Sequence, residues 1–175
     1  MRPLLAFIGF LAILVAIAAA AFFFGGFYSV AATNENPGFV DVALVKVRSA
    51  SIRQHATDRP PAGLSMNDAN VVQDGARAFA TRGCVLCHGA PGQTWAKFSE
   101  GLNPGPPDLK DAAPNLEPRE IFWVVKNGIQ MTGMPSFGAI EVPDKEIWSI
   151  AAFVKQLPNV TDEQFKMWTA AGQKP

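Results

Sequence analysis

Cysteine is scarce in this sequence, which has only Cys84 and Cys87 among its 175 residues. Two thiols exclude a scaffold held by several disulfides and a zinc site made of four thiolates. The chain has two histidines, and His55 lies far from the cysteines in a polar linker. A structural zinc site needs four ligands, so the few cysteines and histidines do not favour one.

The chain also has no excess of charge, since 15 basic and 15 acidic side chains give a formal net charge of zero. A neutral balance provides no strong field for nucleic acid. The sequence contains no glycine-rich phosphate signature, no Ser/His/Asp set and no carboxylate pair that would suggest a separate catalytic site. We therefore predict neither an enzyme, nor nucleic-acid binding, nor a small-molecule substrate.

The N-terminal segment lacks charge altogether between residues 3 and 34, and the run from Leu4 to Phe24 is almost wholly apolar. As a helix it would span about 30 Å, which is the thickness of the bilayer hydrocarbon core. Because Arg2 and the amino terminus are the nearby positive charges, the N-terminus is expected in the cytoplasm. Residues 1–32 are predicted to be a single transmembrane anchor. The alternatives are a signal peptide cleaved near Ala31 and a buried helix of a soluble core.

Residues 33–66 are predicted to form an amphipathic segment and a linker. Pro37 and Gly38 break the chain, and Arg59–Gly63 is rich in proline. Between these breaks, one helical face is apolar and the opposite face is basic. This helix could lie near the membrane surface, contact a partner subunit, or only pack and act as a spacer. The apolar face is Val40, Ala43, Leu44 and Val47, and the basic residues are Lys46, Arg48 and Arg53.

The motif with the clearest chemistry is Cys84-Val85-Leu86-Cys87-His88, a C-x-x-C-H haem attachment signature. Two thiols three residues apart can each bond one vinyl group on the same porphyrin edge, and His88 then becomes the proximal iron ligand. A thioredoxin-like pair would require a βαβ setting, but the flanking sequence has no strand pattern. We therefore predict one covalently attached haem c with iron.

The second axial ligand has several candidates, and Met134 is the strongest of them. Thioether ligation opposite histidine is typical of electron-transfer haems. Gly133 and Pro135 restrict the backbone around Met134, and a rigid loop can hold a weak ligand in place. Met131 in the same loop is the next choice. The remaining candidates are His55, Met66 and Met167.

From residue 67 to residue 158 the sequence resembles the class I c-type cytochromes, most closely the small bacterial members anchored to membranes. The resemblance implies an all-α domain around one haem c. It implies a helix over residues 68–82 in which Gly75 and Phe79 contact the last helix. That last helix is expected over residues 144–156, with Phe153 at the crossing.

The resemblance also implies further site residues. In Pro107-Asp108-Leu109, the Pro107 carbonyl would accept the N–H of the proximal histidine and Leu109 would pack on the haem ring. A middle helix is expected with Pro118 in its first turn, and Trp123 is a candidate to line the pocket.

After residue 158, Thr161 to Gln164 form a capping box that predicts a short helix in residues 159–175. Trp168 of that helix is expected to pack back on the domain.

Taken together with the resemblance, these features predict a monohaem electron carrier in a bacterial cytoplasmic membrane, with its haem domain on the periplasmic side. Its donor and acceptor would be redox proteins, which the sequence does not identify. The alternative is a permanent electron-transfer subunit of a larger respiratory or dehydrogenase complex. A third possibility is an enzyme or gas sensor in which the bond from Met134 to iron is labile.

Overall fold

The computed structural model describes residues 2–34 and 36–170, and within these ranges it contains helices and no strand. The predicted all-α class is confirmed. Contacts divide the chain into two units, Met1–Glu35 and Asn36–Pro175. Eight α-helices are described: α1 Arg2–Phe24, α2 Gly38–His55, α3 Ala69–Thr81, α4 Val85–His88, α5 Leu109–Ala112, α6 Pro118–Asn127, α7 Asp144–Gln156 and α8 Asp162–Ala170.

Helix α1 makes up most of the first unit. Its 23 residues include an 18-residue window with a mean hydropathy of 2.8, and none of the helix's side chains is buried. Length and composition therefore allow this helix to cross a membrane, as the sequence predicts. A signal sequence would meet the same two criteria.

Helix α2 belongs to the second unit, where its C-terminal part contacts α6. Ile52 in this helix and Ala56 just after it are buried. The apolar face found in the sequence is not the face that packs, because Leu44 and Val47 remain 56% and 68% exposed. The sequence predicted the helix, but another side of it contacts the domain.

The core of the second unit is the crossing of α3 and α7. An ideal Cβ placed on Gly75 would lie 1.9 Å from the Ser149 carbonyl oxygen, so only glycine allows this approach. Next to the crossing, the rings of Phe79 and Phe153 have centroids 5.3 Å apart. These contacts confirm the expected crossing of the two helices at Gly75. Asp68 caps α3 by accepting a hydrogen bond from the Asn70 backbone N–H.

Helices α6 and α8 pack beside this crossing. In α6, the Phe122 ring stacks on Trp148 of α7 at a centroid distance of 4.1 Å. The predicted capping box of α8 is present, since Thr161 and Gln164 each accept a hydrogen bond from the other's backbone N–H. Phe165 of α8 is fully buried, and Trp168 packs against the core as predicted.

Candidate functional site

The two cysteines and His88 lie on a single turn that follows α3. The Cys84 N–H donates to the Phe79 carbonyl at 3.1 Å, which ties the turn to the end of α3. The His88 N–H donates to the Cys84 carbonyl at 2.9 Å, so α4 closes one helical turn. Both thiols are free, and all three side chains are half-buried. Local helix geometry therefore brings two thiols and one imidazole together.

The imidazole of His88 is oriented by the backbone of a distant loop. Its Nδ1 lies 3.0 Å from the Pro107 carbonyl oxygen, which can only accept a hydrogen bond. Nδ1 therefore carries the proton, and Nε2 keeps the lone pair. Burial lowers the pKa of His88 below its usual value, which favours the neutral ring. A neutral imidazole with a free lone pair is the form that binds a metal.

Burial also affects the first thiol of the motif. It raises the pKa of Cys84 to about 11, because the thiolate is poorly solvated. Cys84 is therefore protonated at neutral pH. Since the thiolate is the species that attacks a disulfide or an oxidant, this state slows oxidation of the pair Cys84 and Cys87.

Met134 lies in a loop that is held by hydrogen bonds on both sides. Its N–H donates to the Thr132 hydroxyl at 3.1 Å, and its carbonyl accepts from the Ile129 N–H at 3.2 Å. Gly128 has φ of 70°, and a Cβ there would lie 2.9 Å from the Met134 carbonyl oxygen. The side chain of Met134 is half-buried against the core. A fixed backbone therefore presents this thioether at the edge of the core.

The other candidates for the second axial ligand lie in different surroundings. Met131 is 96% exposed and has φ of 56°, so its side chain points into solvent. Met167 is also exposed, whereas Met66 packs against the core. His55 is exposed, with its ring 6.0 Å from that of Trp123 and its Nδ1 2.8 Å from the Ser51 carbonyl. Of the two methionines in the loop, only Met134 is packed against the core.

The predicted pocket residues from the resemblance lie on two segments. Leu109 begins α5, two residues after Pro107, and packs against the core. Trp123 is in α6 and is half-buried, with the His55 ring against it. Helix α2 therefore contacts the helix that carries Trp123.

The loop of residues 89–108 contributes residues that the sequence did not identify. The Ala96 N–H donates to the Leu86 carbonyl at 2.9 Å, which fixes the loop to the cysteine turn. Leu102 reaches the methionine loop, where a Cβ on Gly133 would lie 2.8 Å from its Cδ1. In the sequence, the feature that could have indicated this loop is Trp95, a large aromatic residue within a stretch rich in glycine and proline. A cavity of about 190 Å³ is lined by Cys87, Trp95, Ser99, Glu100, Gly105, Pro106, Pro107 and Asp108.

A larger cleft lies elsewhere, between α3 and α7, and has a volume of about 570 Å³. Ion pairs fill its walls, including the one between Arg82 Nε and Glu146 Oε1 at 2.7 Å. It includes neither cysteine and neither axial candidate. The chemistry of the site therefore lies outside this larger cleft.

The donor set fits a haem better than a bare metal ion. Within the described residues, no group of three or more His, Cys, Asp or Glu side chains could hold a metal ion. The arrangement instead provides two thiols on one turn, a neutral imidazole held by a carbonyl, and a thioether on a fixed loop. A porphyrin iron needs only the two axial donors, and thiols suit attachment of the ring.

Comparison with known proteins gives one match. Residues 70–154 match the family model described as cytochrome c oxidase, cbb3-type, subunit III. No curated protein and no solved structure matches the chain. The matched range begins in α3, includes the cysteine turn and the methionine loop, and ends in α7.

Proposed function

We propose that the whole chain is a membrane-anchored monohaem electron carrier, because residues 70–154 match a family model of a cytochrome c oxidase subunit. It would pass single electrons between two redox proteins on the periplasmic side of the membrane. The single observation that carries the proposal is the C-x-x-C-H turn, in which His88 Nδ1 donates a hydrogen bond to the Pro107 carbonyl. This contact orients the ring through a second partner, as metal-binding histidines require.

Each residue of the site has a separate proposed role in binding the haem. Cys84 and Cys87 would attach one haem covalently, while His88 and Met134 would ligate its iron. The bound haem iron supplies a one-electron couple whose potential is raised by a thioether ligand. Pro107 holds the His88 ring, and Leu109 and Trp123 contribute apolar walls that exclude water. With both axial positions filled, the chain would favour outer-sphere electron transfer over oxygen chemistry.

Attachment is tested by denaturing electrophoresis followed by haem staining. Thioether bonds survive unfolding, so the haem signal should remain on the polypeptide. The double variant Cys84→Ala, Cys87→Ala should lose this signal. A double variant that still stains covalently would refute the assignment of the attachment site.

The anchor is supported by the length and hydropathy of α1. The positive charge of Arg2 favours a cytoplasmic N-terminus and a periplasmic haem domain. An alkaline carbonate wash should therefore leave the haem stain in the membrane pellet. Haem found only in the wash, on a chain beginning near Ala32, would indicate a cleaved signal peptide.

A second candidate function is a permanent subunit of a larger oxidoreductase complex. It is favoured by the description of the matched family, which names a subunit of a cytochrome c oxidase. Extraction in mild detergent, followed by identification of co-eluting proteins, distinguishes the two. A stoichiometric set of partners that persists through two columns favours the subunit, and a lone haem protein favours the carrier.

A further inference from the structure

Helix α2 has two apolar faces, and only one of them is covered by the domain. The covered face includes Ile52, which is 9% exposed, and it meets α6 near the contact of His55 with Trp123. The second face is formed by residues four apart, with two neighbours beside them. Because side chains four residues apart lie on one side of a helix, they form a continuous stripe. This outward stripe consists of Phe39, Val40, Ala43, Leu44 and Val47.

Most of the outward stripe is exposed, and Val40 alone among its five residues is half-buried. Phe39 and Val47 are 77% and 68% exposed, and Leu44 is 56% exposed. An isolated exposed apolar residue is ordinary, but several in one stripe indicate an interaction surface. Helix α2 thus presents an apolar surface that the described part of the domain does not cover.

Basic side chains border the stripe. At about 100° per residue, Lys46 and Arg53 lie beside its Phe39 edge, and Arg48 lies beside its Leu44 edge. Within the helix they outnumber the single acidic residue, Asp41. An apolar stripe flanked by lysine and arginine is the pattern of a helix lying in the membrane interface. Basic side chains at that depth meet the anionic head groups of lipids.

The proposed anchor determines how far α2 can lie from the bilayer. Helix α1 ends at Phe24 and α2 begins at Gly38. Thirteen residues lie between them, and fully extended they span at most about 45 Å. After Gly25 and Gly26 the linker has two aromatic residues, Phe27 and Tyr28, which favour the membrane interface. If α1 crosses the membrane, the linker is therefore short enough to limit the reach of α2 from the end of α1, and it does not by itself set where α2 lies.

We propose that α2 lies on the membrane surface, with its outward stripe in the interface and its basic side chains on anionic head groups. The inference rests on the proposed anchor in α1. It goes further, because α2 also contacts the haem domain through Ile52. A helix fixed to both the bilayer and α6 orients the domain, so the haem domain would not swing freely on its linker.

The test uses the full-length haem protein in vesicles and two single-cysteine variants. Val47→Cys places a spin label in the stripe, and Val42→Cys is the matched control. Both valines are exposed, at 68% and 55%, and their five-residue separation turns the control by about 140° from the probe. Cys84 and Cys87 are consumed by the haem, so each variant has one free thiol. The relaxation of the spin label by oxygen, which enters bilayers, is compared with its relaxation by a water-soluble nickel chelate. The comparison shows whether the label faces lipid or water.

In vesicles of phosphatidylcholine with about one third phosphatidylglycerol, we expect the label at residue 47 to be more accessible to oxygen than to nickel. The label at residue 42 should show the reverse, and the contrast should shrink in phosphatidylcholine alone, since neutral head groups do not attract the basic side chains. Equal nickel accessibility at both positions would overturn the proposal. Protection of residue 47 in native membranes but not in vesicles would also overturn it and would identify a protein partner.

Flotation of the same vesicles separates this inference from the proposed function. If haem floats with the vesicles but residue 47 stays open to nickel, the anchor stands and the placement of α2 is wrong. If haem does not float, the anchor is wrong and the placement of α2 is overturned with it.

Discussion

Gly75 in α3 faces the Ser149 carbonyl in α7 so closely that a Cβ would lie 1.9 Å from that oxygen. A methyl group there would also meet the Phe153 Cβ at 2.9 Å. Both helices are in the core, and the nearest atom belongs to the backbone, so no side-chain rotation relieves the clash. The two helices that frame the domain can therefore meet only at a glycine.

We expect Gly75→Ala to destabilise the haem-loaded protein by about 2 kcal/mol or more, the usual cost of overpacking a core, despite the better helix propensity of alanine. The midpoint of denaturant unfolding measures this change. Gly101→Ala is the control, since nothing lies within 4 Å of a Cβ there. Equal midpoints for both variants would mean that the helices separate at little cost.

Phe165 should anchor α8 to the domain. Its side chain is fully buried, and its ring lies 5.7 Å from that of Phe153. Phe165→Ala should lower the free energy of unfolding by about 3–5 kcal/mol, because a large buried ring leaves a cavity. Met167→Ala, in the same helix but 63% exposed, should change it by less than about 0.5 kcal/mol. Similar unfolding midpoints for the two variants would show that packing of α8 does not stabilise the domain.

Lys155 should stabilise the turn before α6. Its Nζ donates to the Ala113 and Leu116 carbonyls at 2.8 and 2.7 Å. Lys155→Met keeps the length of the side chain but removes these charged hydrogen bonds, and we expect a loss of about 2 kcal/mol. Lys145→Met is the matched control in α7, where Lys145 is exposed. A control as unstable as the variant would mean that the effect comes from lost charge alone.

The helices could be predicted from the sequence because their signals are local. Asp68 caps α3 and Thr161 with Gln164 caps α8, and each signal lies within four residues. The carbonyl cluster around Lys155 could not be predicted, since it joins groups about 40 residues apart through backbone atoms that all residues share. The long-range contact of His88 with Pro107 was expected only through the family resemblance.

The orientation of α2 could not be read from its sequence for a physical reason. A helix with apolar residues on two sides gives no single face to assign to the core. The periodic positions Val40 and Leu44 predicted one face, and yet Ile52 on another side packs on the domain. Loop residues such as Trp95 were missed because the stretch between the cysteine turn and Pro107 has no helical period.

The assignment of Met134 as axial ligand gives the sharpest test of the site, because Met131 is three residues away in the same loop. Met134 is half-buried and its backbone is bonded to Thr132, whereas Met131 is 96% exposed. Met134→Ala should therefore abolish the sulfur-to-iron charge-transfer band and allow carbon monoxide to bind the reduced protein. The haem should stay attached, since the cysteine turn is unchanged.

Substitution of Met134 by histidine should change the reduction potential of the haem in a known direction. A thioether favours ferrous iron, while a second imidazole favours ferric iron, so Met134→His should lower the potential by a part of the roughly 0.8 V range that axial ligands control. Met131→Ala is the matched control and should leave both the band and the potential unchanged. If Met131→Ala removes the band while Met134→Ala keeps it, the exposed methionine must turn inward when haem binds, and the ligand assignment is wrong. If the native protein has no such band, histidine–methionine ligation fails and a site with an open iron position becomes the better explanation.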